Sequence, residues 1–344
     1  MNIAGRKRTK SEILQRVGNA AQLGYVRRYE LTDGKAKGVS AIDVATGGGL
    51  QFTVLPDRGL DISLARYNGI NLSFLTATGE TSPHFYEPSG IGWLRTFAGG
   101  LLTTCGLSHF GPPAADAVEP YGLHGRYSTL PAASVNSSAT WDGDDYRLEV
   151  SGIVEDARIF GDKLRLTRVI SAMAGENRIV IDDTLHNFGY QRSAAMILYH
   201  FNLGFPLVDD GASVHIDGSD VQPRDPDAAP GLPDWRKVIA PVPGYREQAF
   251  FHTMKKDVNG LATASIMNPA LLGGLSLKLS FTADTLPYLT EWKMMGQGDY
   301  VIGLEPGSAP VMERSELIKR GLLRYLDADE TRSHRIELSV SAGE

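Results

Sequence analysis

Segments rich in Val, Ile, Thr and aromatic residues, each closed off by Gly, Asp, Asn or Pro, recur along almost the whole chain, the pattern of strands joined by turns. They fall at 39–45, 51–55, 61–67, 146–153, 163–172, 178–186, 195–203, 262–267, 275–281, 289–294, 300–304 and 335–341. In several, apolar and polar residues alternate, as in Leu164-Arg165-Leu166-Thr167-Arg168-Val169-Ile170. Alternation puts one face of a sheet in a core and leaves the other for solvent or a further layer. Helical patterns are few. Thr9 with Glu12 forms a capping box ahead of Ile13, Leu14 and Val17, closed by Gly18, and 315–323 suits a turn or two of helix. Strands and helices do not alternate regularly, so the expected fold is all-β: an antiparallel sandwich in a single domain over 1–344, with 1–30 as a short N-terminal arm and helix.

With 344 residues, 42% of them hydrophobic and 22% charged, the chain has enough apolar surface for a large core without disulfides or structural metals. Its formal charge, 34 minus 40, is −6, and the longest basic run is Arg6-Lys7-Arg8-Thr9-Lys10, so no nucleic-acid partner is expected. No apolar run reaches membrane-spanning length, and residues 1–30 lack the apolar centre of a secretion signal. The single cysteine, Cys105, allows no intrachain disulfide, and the expected compartment is the cytoplasm.

Familiar chemical motifs are missing. Gly47-Gly48-Gly49 lacks the spacing of a dinucleotide loop, neither Ser108 nor Ser308 sits in a nucleophile elbow, and no P-loop, H-E-x-x-H or C-x-x-C is present. No two histidines have ligand spacing on one element, so no metal or other cofactor is expected. Four segments stand out instead. Residues 93–107 carry Arg95 among apolar and small residues, and 121–126 carry His124 and Arg126, which share a side if the backbone is extended. Residues 198–206 place His200 and Asn202 in an otherwise apolar strand, and 300–307 place Glu305 where a buried strand meets a turn. A histidine that gives a proton and a glutamate that takes one are the minimum for moving protons between two oxygens of one small molecule. Arginine, asparagine and a second histidine would supply fixed donors to a polyol, and Trp93, Trp292 and Tyr199 flat apolar faces. Taken singly, each of these polar residues reads first as a paired, structural group at a buried strand end; together they point to a site.

On these motifs, and on Leu55-Pro56-Asp57-Arg58-Gly59-Leu60-Asp61-Ile62, Val221-Gln222-Pro223-Arg224-Asp225 and Glu291-Trp292-Lys293-Met294, the sequence resembles the galactose mutarotase-like (aldose 1-epimerase) superfamily over nearly its whole length. Within it, the resemblance is to the bacterial DUF4432 branch. It implies a large antiparallel β-supersandwich and a cofactor-free interconversion of sugar anomers by acid–base ring opening. It implies that Glu305 takes the proton of the anomeric hydroxyl, that His200 protonates the ring oxygen, and that His124 holds the ring oxygen or a neighbouring hydroxyl, with Asn202 assisting. By the same resemblance Arg95 and Arg126 bind sugar, and Glu247 stands where mutarotases place an aspartate that grips two hydroxyls. Lys293 has no counterpart in the better-understood branches and reads either as a surface cation or as a binder of a carboxylate, sulfonate or phosphate.

Three functional classes stay open at this point: a carbohydrate mutarotase or epimerase; an isomerase, epimerase or lyase of an oxidised or anionic sugar, suited by Arg95, Arg126, Arg224 and Lys293; and a non-catalytic carbohydrate-binding protein. All three take a small-molecule carbohydrate, and an exposed sheet edge would suit a homodimer. His84, His109, His186, His215, His252 and His334 are expected to be structural or surface residues.

Overall fold

The alternating segments become strands of two antiparallel sheets in the computed structural model, which describes residues 1–3, 5–115 and 119–343. The larger sheet runs in the order Gly218–Pro223, Gln248–Met254, Tyr288–Met295, Tyr300–Gly307, Met196–Leu203, Leu102–Leu107, Asp61–Tyr67, Leu50–Leu55, Ser40–Ala45 and Tyr25–Glu30. The second sheet runs Ala133–Asp142, Asp145–Ala157, Lys163–Met173, Arg178–Asn187, Thr331–Ser341, Leu275–Thr282, Leu261–Asn268 and Ser213–Ile216. Every strand expected from the sequence is present, most of them extended by a few residues.

Six strands carry no clear sequence signal. Leu102–Leu107 is buried on both faces and so shows no alternation, and Ala133–Asp142 is an edge strand whose Ser and Asn residues read as loop. Tyr25–Glu30, Ser213–Ile216, Gly218–Pro223 and Gln248–Met254 lie at or next to sheet edges, where burial imposes less pattern. The basic arm is less detached than expected. Asn2–Ile3 pairs with Arg6–Lys7, Met1 is buried, and its ammonium lies 3.1 Å from Asp145. The capping box of Thr9 and Glu12 starts the helix Lys10–Leu14, which stops before Gly18.

The inner faces of the two sheets share one core, in which Ile62, Ile197, Phe201 and Leu304 of the larger sheet meet Val150, Leu166, Leu279 and Leu338 of the smaller. A polar tie crosses it. Arg168, fully buried on the smaller sheet, donates to both oxygens of Asp183 and reaches Asp61 at 3.0 Å and the Thr104 hydroxyl at 3.0 Å on the larger sheet. Tyr199 also donates its hydroxyl to Asp183 at 2.7 Å.

On the outer face of the larger sheet a second apolar cluster forms where the strands Leu102–Leu107 and Met196–Leu203 are covered by the chain around Trp93–Phe97 and Ala309–Leu323. Helices are short among the described residues, and none is long and apolar enough to cross a membrane.

Candidate active site

Strand alternation decides which side chains reach that outer face. In Met196–Leu203, Ile197, Tyr199, Phe201 and Leu203 enter the inter-sheet core, so Met196, Leu198, His200 and Asn202 turn the other way. In Tyr300–Gly307, Ile302 and Leu304 enter the core and Gly303 and Glu305 turn outward. Leu198 pairs with Gly307 and Phe201 with Leu304, a register that sets His200 opposite Glu305 on one face. Glu305 therefore lies inside a strand that continues to Gly307, rather than at its end.

The two side chains meet: Nε2 of His200 is 3.2 Å from Oε1 of Glu305, with both residues at most 5% exposed. Burial disfavours the charged form of each, raising the Glu305 carboxyl from 4.5 to about 8 and lowering the His200 imidazole from 6.5 to about 4. At neutral pH the pair thus rests with one titrating proton, held on the carboxyl, beside a neutral imidazole. Gly303 makes room for this contact. A Cβ there would stand 2.8 Å from Oε1 of Glu305 and 2.9 Å from Cβ of Trp292.

The pair forms the floor of a cavity of about 470 Å³, within the usual range for a small-molecule site. The His200 ring lies 5.4 Å from Trp292, 5.7 Å from His124 and 5.7 Å from Phe97. His124 is held well below its ordinary pKa, first by burial and then by the nearby His200, and stays neutral. Beside Trp292, Arg224 and Glu247 form a fixed pair at the cavity edge. Glu247 accepts from Arg224 at 3.1 Å and from the Trp292 indole at 3.0 Å, while Arg224 also donates to Asp225 at 2.6 Å. A hollow of about 550 Å³ elsewhere, beside Gly47–Gly49, offers no carboxylate, histidine or cation among its described lining residues.

The expected site residues divide. His200, Glu305, His124 and Glu247 come together around the cavity. Arg95, Arg126, Asn202 and Lys293 do not. Arg95 sits in the 3-10 turn Gly92–Arg95 with its side chain 74% exposed, paired to Glu87; its apolar neighbours Trp93 and Leu94 face the cavity in its place.

His124 and Gly125 have φ of 58° and 72°, so the backbone turns left-handed there and Arg126 leaves on another side, 3.8 Å from Asp156. The extended geometry that would have aligned His124 with Arg126 is absent. Asn202 is fully buried beneath the pair, and its amide donates to the carbonyls of Gly100 and His200. Lys293 follows Trp292 on the strand and so points to the opposite face, where its ammonium donates to the carbonyl of Asp234. It is neither a surface cation nor a cavity residue: it ties down the excursion between residues 223 and 248 that carries Arg224 and Glu247.

Trp93 and Trp292 face the cavity, but Tyr199 lies in the inter-sheet core. Phe97 and Thr290 line the cavity without having been singled out as site residues, and Arg224, weighed only among the cations suited to an anionic substrate, lines it too. Of the histidines set aside, His252 is hydrogen-bonded to buried Glu291 at 3.2 Å on the inner face, and His186 pairs with exposed Asp329. Among the described residues no three His, Cys, Asp or Glu side chains are grouped to hold a metal ion.

An antiparallel supersandwich of this size defines the fold class, that of galactose mutarotase-like proteins. A candidate aldose 1-epimerase from Klebsiella pneumoniae superposes with a TM-score of 0.88 at 23% identity, covering 97% of this chain and 90% of that one. A galactose mutarotase-like protein from Clostridium acetobutylicum follows at 0.68 and 14%, covering 94% and 100%, and the galactose 1-epimerase of Lactobacillus acidophilus at 0.55 and 14%, covering 93% and 99%. At such identities the likeness is one of fold. No curated protein matches the sequence. Residues 36–340 match DUF4432, a domain of unknown function, and the chain belongs to that family.

Proposed function

We propose that the protein is a carbohydrate mutarotase or closely related epimerase that interconverts the anomers of an uncharged sugar without a cofactor, working as one domain around the core its two sheets share. The observation that carries this reading is the buried His200–Glu305 contact of 3.2 Å on the floor of the cavity. Anomerisation needs one group to take the anomeric proton while another protonates the ring oxygen, with both transfers reversed on closure. A pair that holds a single proton is equipped for this. For His200 to serve as the acid and Glu305 as the base, the proton passes between them before the ring opens. His124, kept neutral, then offers a hydrogen bond to the ring oxygen or its neighbour, and Glu247 accepts from sugar hydroxyls.

The placement of the cations favours this reading over an anionic substrate. Arg95, Arg126 and Lys293 lie away from the cavity, and Arg224 is already flanked by Asp225 and Glu247. A binding module would gain nothing from burying a carboxyl that burial raises to about 8.

The test is magnetisation exchange between anomers by NMR, over neutral aldoses, deoxy sugars, ketoses and uronic acids, with and without the protein. Exchange of one sugar far above its spontaneous rate is the expected result. Binding with no exchange in any sugar would sink the reaction.

The rate should be bell-shaped in pH. Below about 4 both members of the pair carry protons and no base remains; above about 8 neither does and no acid remains. A profile of kcat/KM with limbs near those values is expected, whereas a flat profile from pH 5 to 10 would exclude the pair.

Gly303→Ala tests the geometry without removing a reacting group. Its methyl must displace the Glu305 carboxylate or Trp292, and a misplacement of about 1 Å costs on the order of 100-fold. A fall in kcat/KM of about 10- to 100-fold is expected, with a stability loss of about 1–3 kcal/mol. Activity within about twofold of wild type would show that the contact is not needed.

A further inference from the structure

The two flanks of the His200–Glu305 pair differ in chemistry. On the Trp292 side stand the charged and polar groups Arg224, Glu247 and Thr290. On the His124 side stand Trp93, Leu123 and Val311, with Leu94 and Ile91 leading to the mouth. Those last two are 46% and 65% exposed, large apolar side chains left open to whatever enters. The polar flank is electrostatically complete. Arg224 is the one lysine or arginine among the described lining residues, and two carboxylates already hold it.

The connectivity of a pyranose maps onto this asymmetry. The acid–base pair must touch the anomeric oxygen and the ring oxygen. Beyond the anomeric carbon come the hydroxyls of C2 and C3; beyond the ring oxygen comes C5 with its exocyclic carbon. Hydroxyls match the Arg224–Glu247 flank, since a carboxylate accepts from two of them and the guanidinium donates. The exocyclic carbon then falls on the Trp93–Leu123–Val311 flank, where the one polar side chain among the described lining residues is His124, already turned to the ring oxygen, and a carboxylate finds no free cation.

We infer that the cavity selects an uncharged sugar whose exocyclic carbon is deoxygenated, a 6-deoxy aldose, over the parent hexose and the uronic acid. The inference rests on the proposed function, which seats the anomeric and ring oxygens on the His200–Glu305 pair, but its test reads binding apart from ring opening. An apolar pocket discriminates against an added hydroxyl by about 10- to 100-fold, and a carboxylate fares worse.

Binding, measured separately from turnover, tests it. Glu305→Gln, which keeps the neutral shape of the protonated acid, is titrated calorimetrically with three matched sets: galactose, fucose and galacturonate of one configuration, and the corresponding glucose and mannose sets. In at least one set the 6-deoxy sugar should bind about 10-fold or more tighter than both companions. Leu123→Asn, which places an amide on the apolar flank, should bring that ratio close to one. Equal or tighter binding of the parent hexose or the uronic acid in every set, no binding in any, or a ratio unmoved by Leu123→Asn overturns the inference. If the 6-deoxy preference holds while the wild-type protein exchanges no anomers, the ring-opening reaction fails and the inference stands.

Discussion

Replacing Glu305 by glutamine is expected to remove turnover and to make the folded protein more stable, the more so as pH rises. Glutamine keeps the size and neutrality of the protonated acid, but it cannot pass a proton on. Loss of a general acid or base lowers rates by roughly 100-fold or more. The stability effect follows from burial. The carboxyl titrates near 4.5 when unfolded and near 8 in the fold, so between those values the native state holds a proton that the unfolded state has released. Stability therefore falls as pH rises from about 4.5 to about 8, and the full penalty stands above 8. At about 1.4 kcal/mol per pH unit the interval has an upper limit of about 5 kcal/mol, and water entry and relaxation bring the expected gain of the variant to the order of 2 kcal/mol at pH 8. Urea unfolding of the two proteins at pH 4.5, 6 and 8 checks this. Equal stability at all three, or a less stable variant at pH 8, would show that burial does not hold the proton on Glu305.

The same burial explains why this part of the site is legible in the sequence. His200 and Glu305 interrupt runs that are otherwise apolar, Leu198-Tyr199-His200-Phe201 and Val301-Ile302-Gly303-Leu304-Glu305, and a titratable group in a buried strand is unusual enough to register. Cations proved harder to place. Arg95 and Arg126 owe their positions to a 3-10 turn and to a left-handed residue beside a glycine, neither of which leaves a mark in residue spacing. Lys293 depends on the parity of a single strand. Trp292 faces the cavity, so its neighbour cannot.

At the level of the fold, strands with one face in the inter-sheet core announce themselves by alternation. The polar edge Ala133–Asp142 takes its conformation from the alternating strand it pairs with across a tight turn, and the doubly buried Leu102–Leu107 from a partner distant in sequence. The contact between His200 and Glu305 is of the same kind. It arises from a register across more than a hundred residues of chain, and only the folded sheet displays it.

Removing the guanidinium of Arg168 is expected to have the largest effect on stability. Its side chain is inaccessible to solvent and lies between Asp183, also inaccessible, and Asp61. Burial alone would lower its pKa, but the neighbouring carboxylates hold it above the ordinary value, and the cation also faces the rings of Tyr127 and Tyr199. Asp61 gains less from the arrangement, and burial pushes its carboxyl up to about 6. Arg168→Met leaves Asp183 with the Tyr199 hydroxyl but without a cation, and breaking a buried pair in this way costs about 3–5 kcal/mol. Arg168→Lys keeps the charge but loses the planar fork that holds both oxygens of Asp183, and an intermediate loss is expected. Adding Asp183→Asn to Arg168→Met should recover part of the stability, because one of the two orphaned carboxylates is then gone. The network lies behind His200, on the neighbouring residue of its strand, so a slackened Tyr199 also loosens the His200–Glu305 contact. Urea midpoints of these three variants and of Asp183→Asn alone decide the matter: a loss below about 1 kcal/mol for Arg168→Met, or additive losses in the double variant, would mean that the two sheets are held by their apolar core without help from this tie.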